Sequence, residues 1–275
     1  MKVSTSEHGK SFGISREKFI EYTKTIIWAV IIALLFRSLF FEQFKVPTSS
    51  MVPTIMIDDR LIVSKYAYGY SRFSFPISPE SFKGRVFFTP PERGDVIVFK
   101  APDEESWCIK KLIGLPCDKI NYIKRLIGLP GDKIQIQDGI LYINDVSVQR
   151  KRIGASTQIG ERGESIIYDV YEEILPNDAV YKIHQRKRNP DSNNGFDEDN
   201  TPIYRVPKGH YFFLGDNRNH SADSRYSSGI SYVSEDKLMG RADVIIWPGD
   251  FSFKKFFSSM DIGRMFGGLS DTVTH

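Results

Sequence analysis

The chain has 275 residues, enough for one large domain or two modest ones, and 41% of them are hydrophobic, which can supply a core. Its 37 basic residues nearly cancel 34 acidic ones, and no Lys/Arg run interleaved with aromatics argues for nucleic-acid binding. Two cysteines, Cys108 and Cys117, are too few for a disulfide framework or a cysteine-based metal site; whether they pair stays open.

Residues 1–24 carry Lys10, Arg16, Lys18 and Lys24 ahead of an apolar run, Thr25 to Phe41, reading TIIWAVIIALLFRSLFF. A hydrocarbon core of about 30 Å takes roughly 20 apolar residues, so the run is slightly short, with Arg37 as its one charge. Arginine near a helix end snorkels to the headgroups, and Trp28 suits the opposite interface. A cleaved signal peptide calls for a small-x-small site, yet Glu42, Gln43 and Phe44 follow; a buried core helix is the other alternative. The expectation is an uncleaved single-pass anchor over 25–41. The preceding positive charges place 1–24 in the cytoplasm and export 42–275.

Beyond the anchor, strand-like runs alternate with turn residues: Arg60–Ser64, Asp95–Phe99, Lys133–Gln137, Ile140–Ile143, His210–Leu214 and Ala242–Trp247. Strand following strand predicts a mainly β, antiparallel sandwich or barrel. Residues 185–200 are polar and rich in Asn and Asp, the composition of an exposed loop. Residues 251–266 mix phenylalanines with Lys and Arg, fitting either a membrane surface or a packed tail. Between these, residues 108–133 repeat themselves: CIKKLIGLPCDKIN is followed by YIKRLIGLPGDKIQ.

Two stretches hold polar residues that strand formation does not explain. In Val46-Pro-Thr-Ser-Ser-Met-Val-Pro-Thr54, prolines bracket hydroxyls, so the side chains are expected to be presented rather than packed. The stretch reads as a linker or as a nucleophile loop at the bilayer surface. Gly215-Asp-Asn-Arg-Asn-His-Ser-Ala-Asp-Ser-Arg225 reads as a capped turn. Its alternatives are a metal site of Asp216, His220 and Asp223, or a triad centred on His220. The lysines of the repeat add a third chemistry. A serine needs a base to take its proton, and burial lowers a lysine's pKa from about 10.4 towards neutrality. Lys124 would lie among apolar neighbours on a strand, with Arg125 on the opposite face.

An anchor, then Ser50-Met-Val-Pro-Thr54, Arg93-Gly-Asp-Val-Ile-Val-Phe-Lys100, Tyr122-Ile-Lys-Arg-Leu-Ile-Gly-Leu-Pro-Gly-Asp132 and the Gly215–Arg225 box together resemble the bacterial type I signal peptidases. The matches run in family order from about residue 20 to 250. The resemblance implies a β-rich serine endopeptidase at the outer face of the inner membrane, removing signal peptides from preproteins. Its partners would be those signal peptides and the lipid bilayer; no metal, organic cofactor or nucleic acid is implied. Carried over by motif, Ser50 is the nucleophile, Thr48 assists the oxyanion hole together with the Ser50 amide, and Ser221 orients the lysine. Asp216, Arg218, Asp223 and Arg225 support the site, and His220 has no catalytic role. The substrate would lie extended beside a strand, small residues filling shallow pockets.

The family has one Lys-Arg strand and this chain has two versions. Lys110 lies nearer Lys100, at about the family's usual interval, whereas the second copy runs straight on into Lys133-Ile-Gln-Ile. The second copy also keeps Tyr122, Arg125 and Gly131, where the first has Cys108, Lys111 and Cys117. A Pro-Gly turn commonly needs positive φ at its second central residue, which glycine accepts and cysteine resists. Lys124 is therefore the expected base, with Lys110 the alternative. The 14-residue period is even, so either copy presents the same faces. The rival from another class is a catalytically impaired, membrane-anchored β protein that only binds exported chains.

Overall fold

The computed structural model describes residues 16–74, 82–100, 121–159, 164–186, 198–226, 230–247, 269, 271 and 272, without side chains 17, 34, 35, 37, 38, 247, 271 and 272. The first repeat copy with Cys108, Lys110 and Cys117, most of the 185–200 loop and all of 251–266 lie outside this set.

A helix, Arg16–Phe40, opens the described chain and passes directly into the strand Phe41–Lys45. It has no single apolar face; its first nine residues include five charged ones, and in the apolar stretch that follows Ile26, Ile27, Trp28, Ile32 and Phe36 are exposed. Among the described residues no helix is long and apolar enough to cross a membrane; side chains 34, 35, 37 and 38 of the apolar stretch are outside that set.

Apart from short 3-10 turns at Lys65–Tyr68, Arg72–Ser74 and Glu235–Lys237, the other described elements are antiparallel strands. The principal sheet has seven strands in the order Phe41–Lys45, Arg60–Ser64, Leu238–Trp247, Val96–Lys100, Asn121–Gly128, His210–Leu214 and Val233–Ser234. A second sheet joins Gln149–Ile159, Ser165–Ile174, Ala179–Gln185 and Asp271–Thr272; a third joins Tyr204–Arg205, Lys133–Gln137, Ile140–Ile143 and Val146–Ser147. The short strands Tyr70–Ser71 and Arg85–Val86 pair separately.

Apolar alternation explains much of this. In Lys133–Gln137 and Ile140–Ile143, residues Ile134, Ile136, Leu141 and Ile143 are buried and their neighbours are not, the pattern of a sheet with one wet face. The strand Asn121–Gly128 is different: Lys124 to Gly128 are buried without interruption, so both its faces are covered. Ile127 belongs to one apolar cluster with Ile134, Leu141 and Phe212, Leu126 to another with Ile97 and Phe213, and Ile123 packs against a third around Met51, Val96 and Val98. The strand bearing Lys124 is thus where the three clusters meet.

The three long strands Gln149–Ile159, Ser165–Ile174 and Ala179–Gln185 escaped the sequence reading, as did Phe41–Lys45, whose first residue was expected in the anchor, and the two-residue strands. The first is an exposed edge strand with Gly154 at a bulge, so burial does not impose an apolar stripe on it. Gln185, expected in the exposed loop, instead ends a strand and is buried.

Candidate active site

The stretch 46–54 corrects the expectation of presented side chains: Val46, Ser50, Met51 and Val52 are buried, as is Ile55 just after it, and only Pro47 and Thr48 are exposed. Met51 and Ile55 enter the core, and the Ile55 amide donates to the Met51 carbonyl at 2.9 Å, making a tight turn. Packing, not exposure, holds the serine. Asn217 then ties the loop down, its backbone N–H donating to the Ser50 carbonyl at 3.1 Å and its side-chain amide to Ser49 at 3.2 Å. Thr54 donates to the Asp216 carboxylate at 2.5 Å.

Into this loop the neighbouring strand delivers Lys124. Its Nζ lies 2.6 Å from Ser50 Oγ, and it also donates to the Ile123 carbonyl at 3.1 Å. Lys124 is 3% exposed, and this burial, reinforced weakly by Arg225 and opposed by Asp223 and Asp216, lowers its pKa to about 8. A lysine so placed is an amine for part of the time near neutral pH and can accept a serine's proton. Thr48, exposed at the loop's edge, has its Oγ1 3.4 Å from Ser50 Oγ.

Arg125, the next residue along, is 1% exposed and grips Asp216 with two hydrogen bonds of 2.8 and 2.7 Å. Asp223 pairs with Arg225 at 2.8 and 2.9 Å and accepts the Gly215 amide at 3.1 Å. Burial alone would raise Asp223, but Arg225 holds its carboxyl below the usual range. Both aspartates of the proposed metal trio therefore serve arginines. His220 is exposed, and among the described residues no group of three His, Cys, Asp or Glu could hold a metal ion.

Ser221 departs from expectation in one respect. It is buried against Gly215 and close to the Ser50 carbonyl, but its Oγ has no hydrogen-bond partner among the described residues, so the expected bond to Lys124 is not formed. Gly215 explains the proximity. A Cβ there would stand 2.1 Å from Ser221 Oγ and 2.6 Å from the Ser50 carbonyl oxygen, a space that glycine alone leaves open.

The turn after the strand follows its sequence signature. Gly131 has φ of +93°, and the Asp132 amide closes on the Leu129 carbonyl at 3.0 Å. Arg93 bridges to Asp132 at 2.8 Å, joining the Arg93-Gly-Asp box to the turn.

The family model described as "Signal peptidase, peptidase S26" matches residues 19–247. The chain belongs to this signal peptidase family. A signal peptidase I of Rickettsia typhi is 41% identical over 256 residues, covering 90% of this chain and 84% of its own. That of Rickettsia canadensis is 42% identical, covering 87% and 83%. A solved signal peptidase I of Enterococcus faecalis shares 26% identity over 56% of this chain and 97% of its own, with a TM-score of 0.30, too low to carry an argument.

Of the residues that the signal peptidase resemblance singled out, Ser50, Lys124 and Thr48 come together, and Asp216, Arg218, Asp223, Arg225 and Ser221 surround them within one loop. Lys110 lies outside the described residues. Sequence reasoning assigned no role to Asn217, Thr54, Glu173 or Tyr181. Asn217 and Thr54 sat inside quoted boxes and could have been noticed; Glu173 and Tyr181 lie in strands without any motif.

Proposed function

We propose that the chain is a signal peptidase I, a serine endopeptidase that removes signal peptides from exported preproteins with a Ser50–Lys124 dyad. The observation that carries the reading is the 2.6 Å approach of Lys124 Nζ to Ser50 Oγ in a buried setting. As a neutral amine, Lys124 accepts the Ser50 hydroxyl proton while Oγ attacks the scissile carbonyl. The Ser50 N–H and the Thr48 hydroxyl donate to the oxyanion. Lys124 then gives its proton to the departing amine. A water, deprotonated by the same lysine, releases the acyl group from Ser50. Ser221 rotates its unpartnered hydroxyl to Lys124 when the site is loaded, and Asp216, Arg218, Asp223 and Arg225 hold the loop's shape.

The helix Arg16–Phe40 serves as the membrane anchor in this reading. An apolar helical stretch requires either a core or a bilayer, and in this one Ile26, Trp28, Ile32 and Phe36 are exposed. With Arg16, Lys18 and Lys24 at its start, the N-terminus is cytoplasmic and the β domain periplasmic, at the bacterial inner membrane.

Cleavage of a preprotein by the purified chain and its variants tests the dyad. Ser50→Ala and Lys124→Ala are expected to abolish cleavage, and Lys110→Ala to retain it. Loss of cleavage in Lys110→Ala together with an active Lys124→Ala would transfer the base to the first repeat copy. An inactive unmodified chain that still bound preprotein would favour the impaired, binding-only rival.

A further inference from the structure

We propose that Glu173 is a positioning residue for this site: with Tyr181 it fixes Arg218, and through Arg218 the loop that carries Asp216 and Asp223 past Lys124. The inference rests on the Ser50–Lys124 reading above. Glu173 belongs to the strand Ser165–Ile174, in a different sheet from Lys124, and is 0% exposed. Its carboxylate accepts Arg218 Nη2 at 2.5 Å, Arg218 Nη1 at 3.3 Å and the Tyr181 hydroxyl at 2.6 Å. Arg218 also donates to that hydroxyl at 3.0 Å, and the Tyr181 ring carries the Arg125 guanidinium 4.4 Å from its centroid. One tyrosine thus touches both arginines that flank the site.

The backbone of Arg218 is held as well. Its N–H donates to the His184 carbonyl at 2.9 Å, the Asp216 carbonyl accepts the His184 amide at 2.9 Å, and Arg225 Nη2 donates to the Arg218 carbonyl at 2.5 Å. Glu173 therefore anchors the side chain of a residue whose main chain ties both ends of the loop together.

Charge gives a second, independent reason. Around the loop the fully buried charged side chains, among the described residues, are Arg125, Arg218 and Arg225 against Asp216, Asp223 and Glu173. Three cations meet three anions, so the cluster is neutral when Lys124 is an amine. Without Glu173, the resemblance-derived residues and Arg125 leave one positive charge in excess. Arg218 would then draw on Asp216, the carboxylate that Arg125 and Thr54 share. Apolar side chains of similar volume stabilise a core as well as or better than buried ion pairs, so stability alone does not account for this one.

The groups facing Lys124 are Asp223, Asp216 and Arg225 from the loop, Ser50 from its own turn, and on its own strand the Tyr122 ring, 6.0 Å from Nζ. Removing the Glu173 charge makes the surroundings more positive and disfavours the ammonium form, so the base's titration moves to lower pH. The experiment follows preprotein cleavage against pH by the full chain, Glu173→Gln, Tyr181→Phe and Lys124→Ala, with thermal melting to establish folding. Glu173→Gln is expected to lower kcat at least about tenfold with KM within about twofold, and to shift the acidic limb downward. Tyr181→Phe, which keeps the ring under Arg125, is expected to move both in the same direction by less. A folded Glu173→Gln with unchanged kcat and pH profile overturns the proposal. Should that variant not fold, an unchanged profile in Tyr181→Phe overturns it. An active Lys124→Ala overturns the dyad itself, whereas an inactive Lys124→Ala beside a wild-type-like Glu173→Gln removes only the positioning role.

Discussion

Arg125 and Asp216 meet through two parallel hydrogen bonds of 2.8 and 2.7 Å, both side chains 1% exposed. The pair lies one residue from Lys124 and ties the lysine's strand to the loop that restrains Ser50. Arg125→Ala leaves Asp216 buried without its counter-charge, an expected loss of about 3–5 kcal/mol in denaturant unfolding. Arg125→Lys cannot reproduce the planar two-point contact and is expected to cost roughly 1–3 kcal/mol. The first repeat copy carries Lys111 at the equivalent place, so this variant also measures how well that copy's chemistry would suit the strand.

Activity should follow the titration of Lys124, whose pKa burial lowers to about 8. Only the amine accepts the Ser50 proton, so kcat/KM is expected to rise with pH and level off above about 8. Lys124→Arg, which stays charged throughout, should be inactive at every pH. A profile flat from pH 6 to 9 in the unmodified chain would exclude Lys124 as the base.

The same lysine costs stability. Its pKa falls from an ordinary 10.5 to about 8 on folding, so between these values the unfolded chain binds the extra proton. Stability therefore rises with pH across this window, and the penalty is complete below it. By linkage the penalty is on the order of 3 kcal/mol. Lys124→Met is expected to melt at higher temperature than the unmodified chain at pH 7, with the gap narrowing towards pH 10.5. An equal gap at both pH values would contradict a buried, pKa-shifted lysine.

Gly215 is the tightest point of the site. A methyl group there meets Ser221 Oγ at 2.1 Å and the Ser50 carbonyl oxygen at 2.6 Å, and the second contact is backbone, which cannot rotate away. Gly215→Ala is expected to lower stability by roughly 1–3 kcal/mol and cleavage by at least about a hundredfold, because it pushes the Ser50 turn from Lys124. Near-normal cleavage in Gly215→Ala would show that the Ser50 turn has more freedom than its packing implies.

The legible parts of the fold were those governed by local pattern. Alternating isoleucines marked Lys133–Gln137, a short apolar run marked Ile140–Ile143, and Pro130-Gly131 marked a turn whose glycine has positive φ. The exposed edge strand Gln149–Ile159 was not legible, because no buried face selects its residues. In the site, Ser50, Lys124 and the loop residues were recognisable because each sits in a short motif. Glu173 was not, because nothing local distinguishes it from Glu172, its neighbour with partial exposure.

The sequence by itself determined the kinds of group available: a serine between prolines, lysines on apolar strands, and a loop of alternating acids and bases after a strand. Only the tertiary structure decided that a lysine 74 positions away lies against that serine, and that a carboxylate from another sheet binds Arg218 in the loop beside them. The reason is physical. Covalent order fixes which groups are near along the chain, whereas burial and charge pairing arise where separate strands pack and exclude water. Only in that packed place does a lysine lose its water and a glutamate meet a buried arginine.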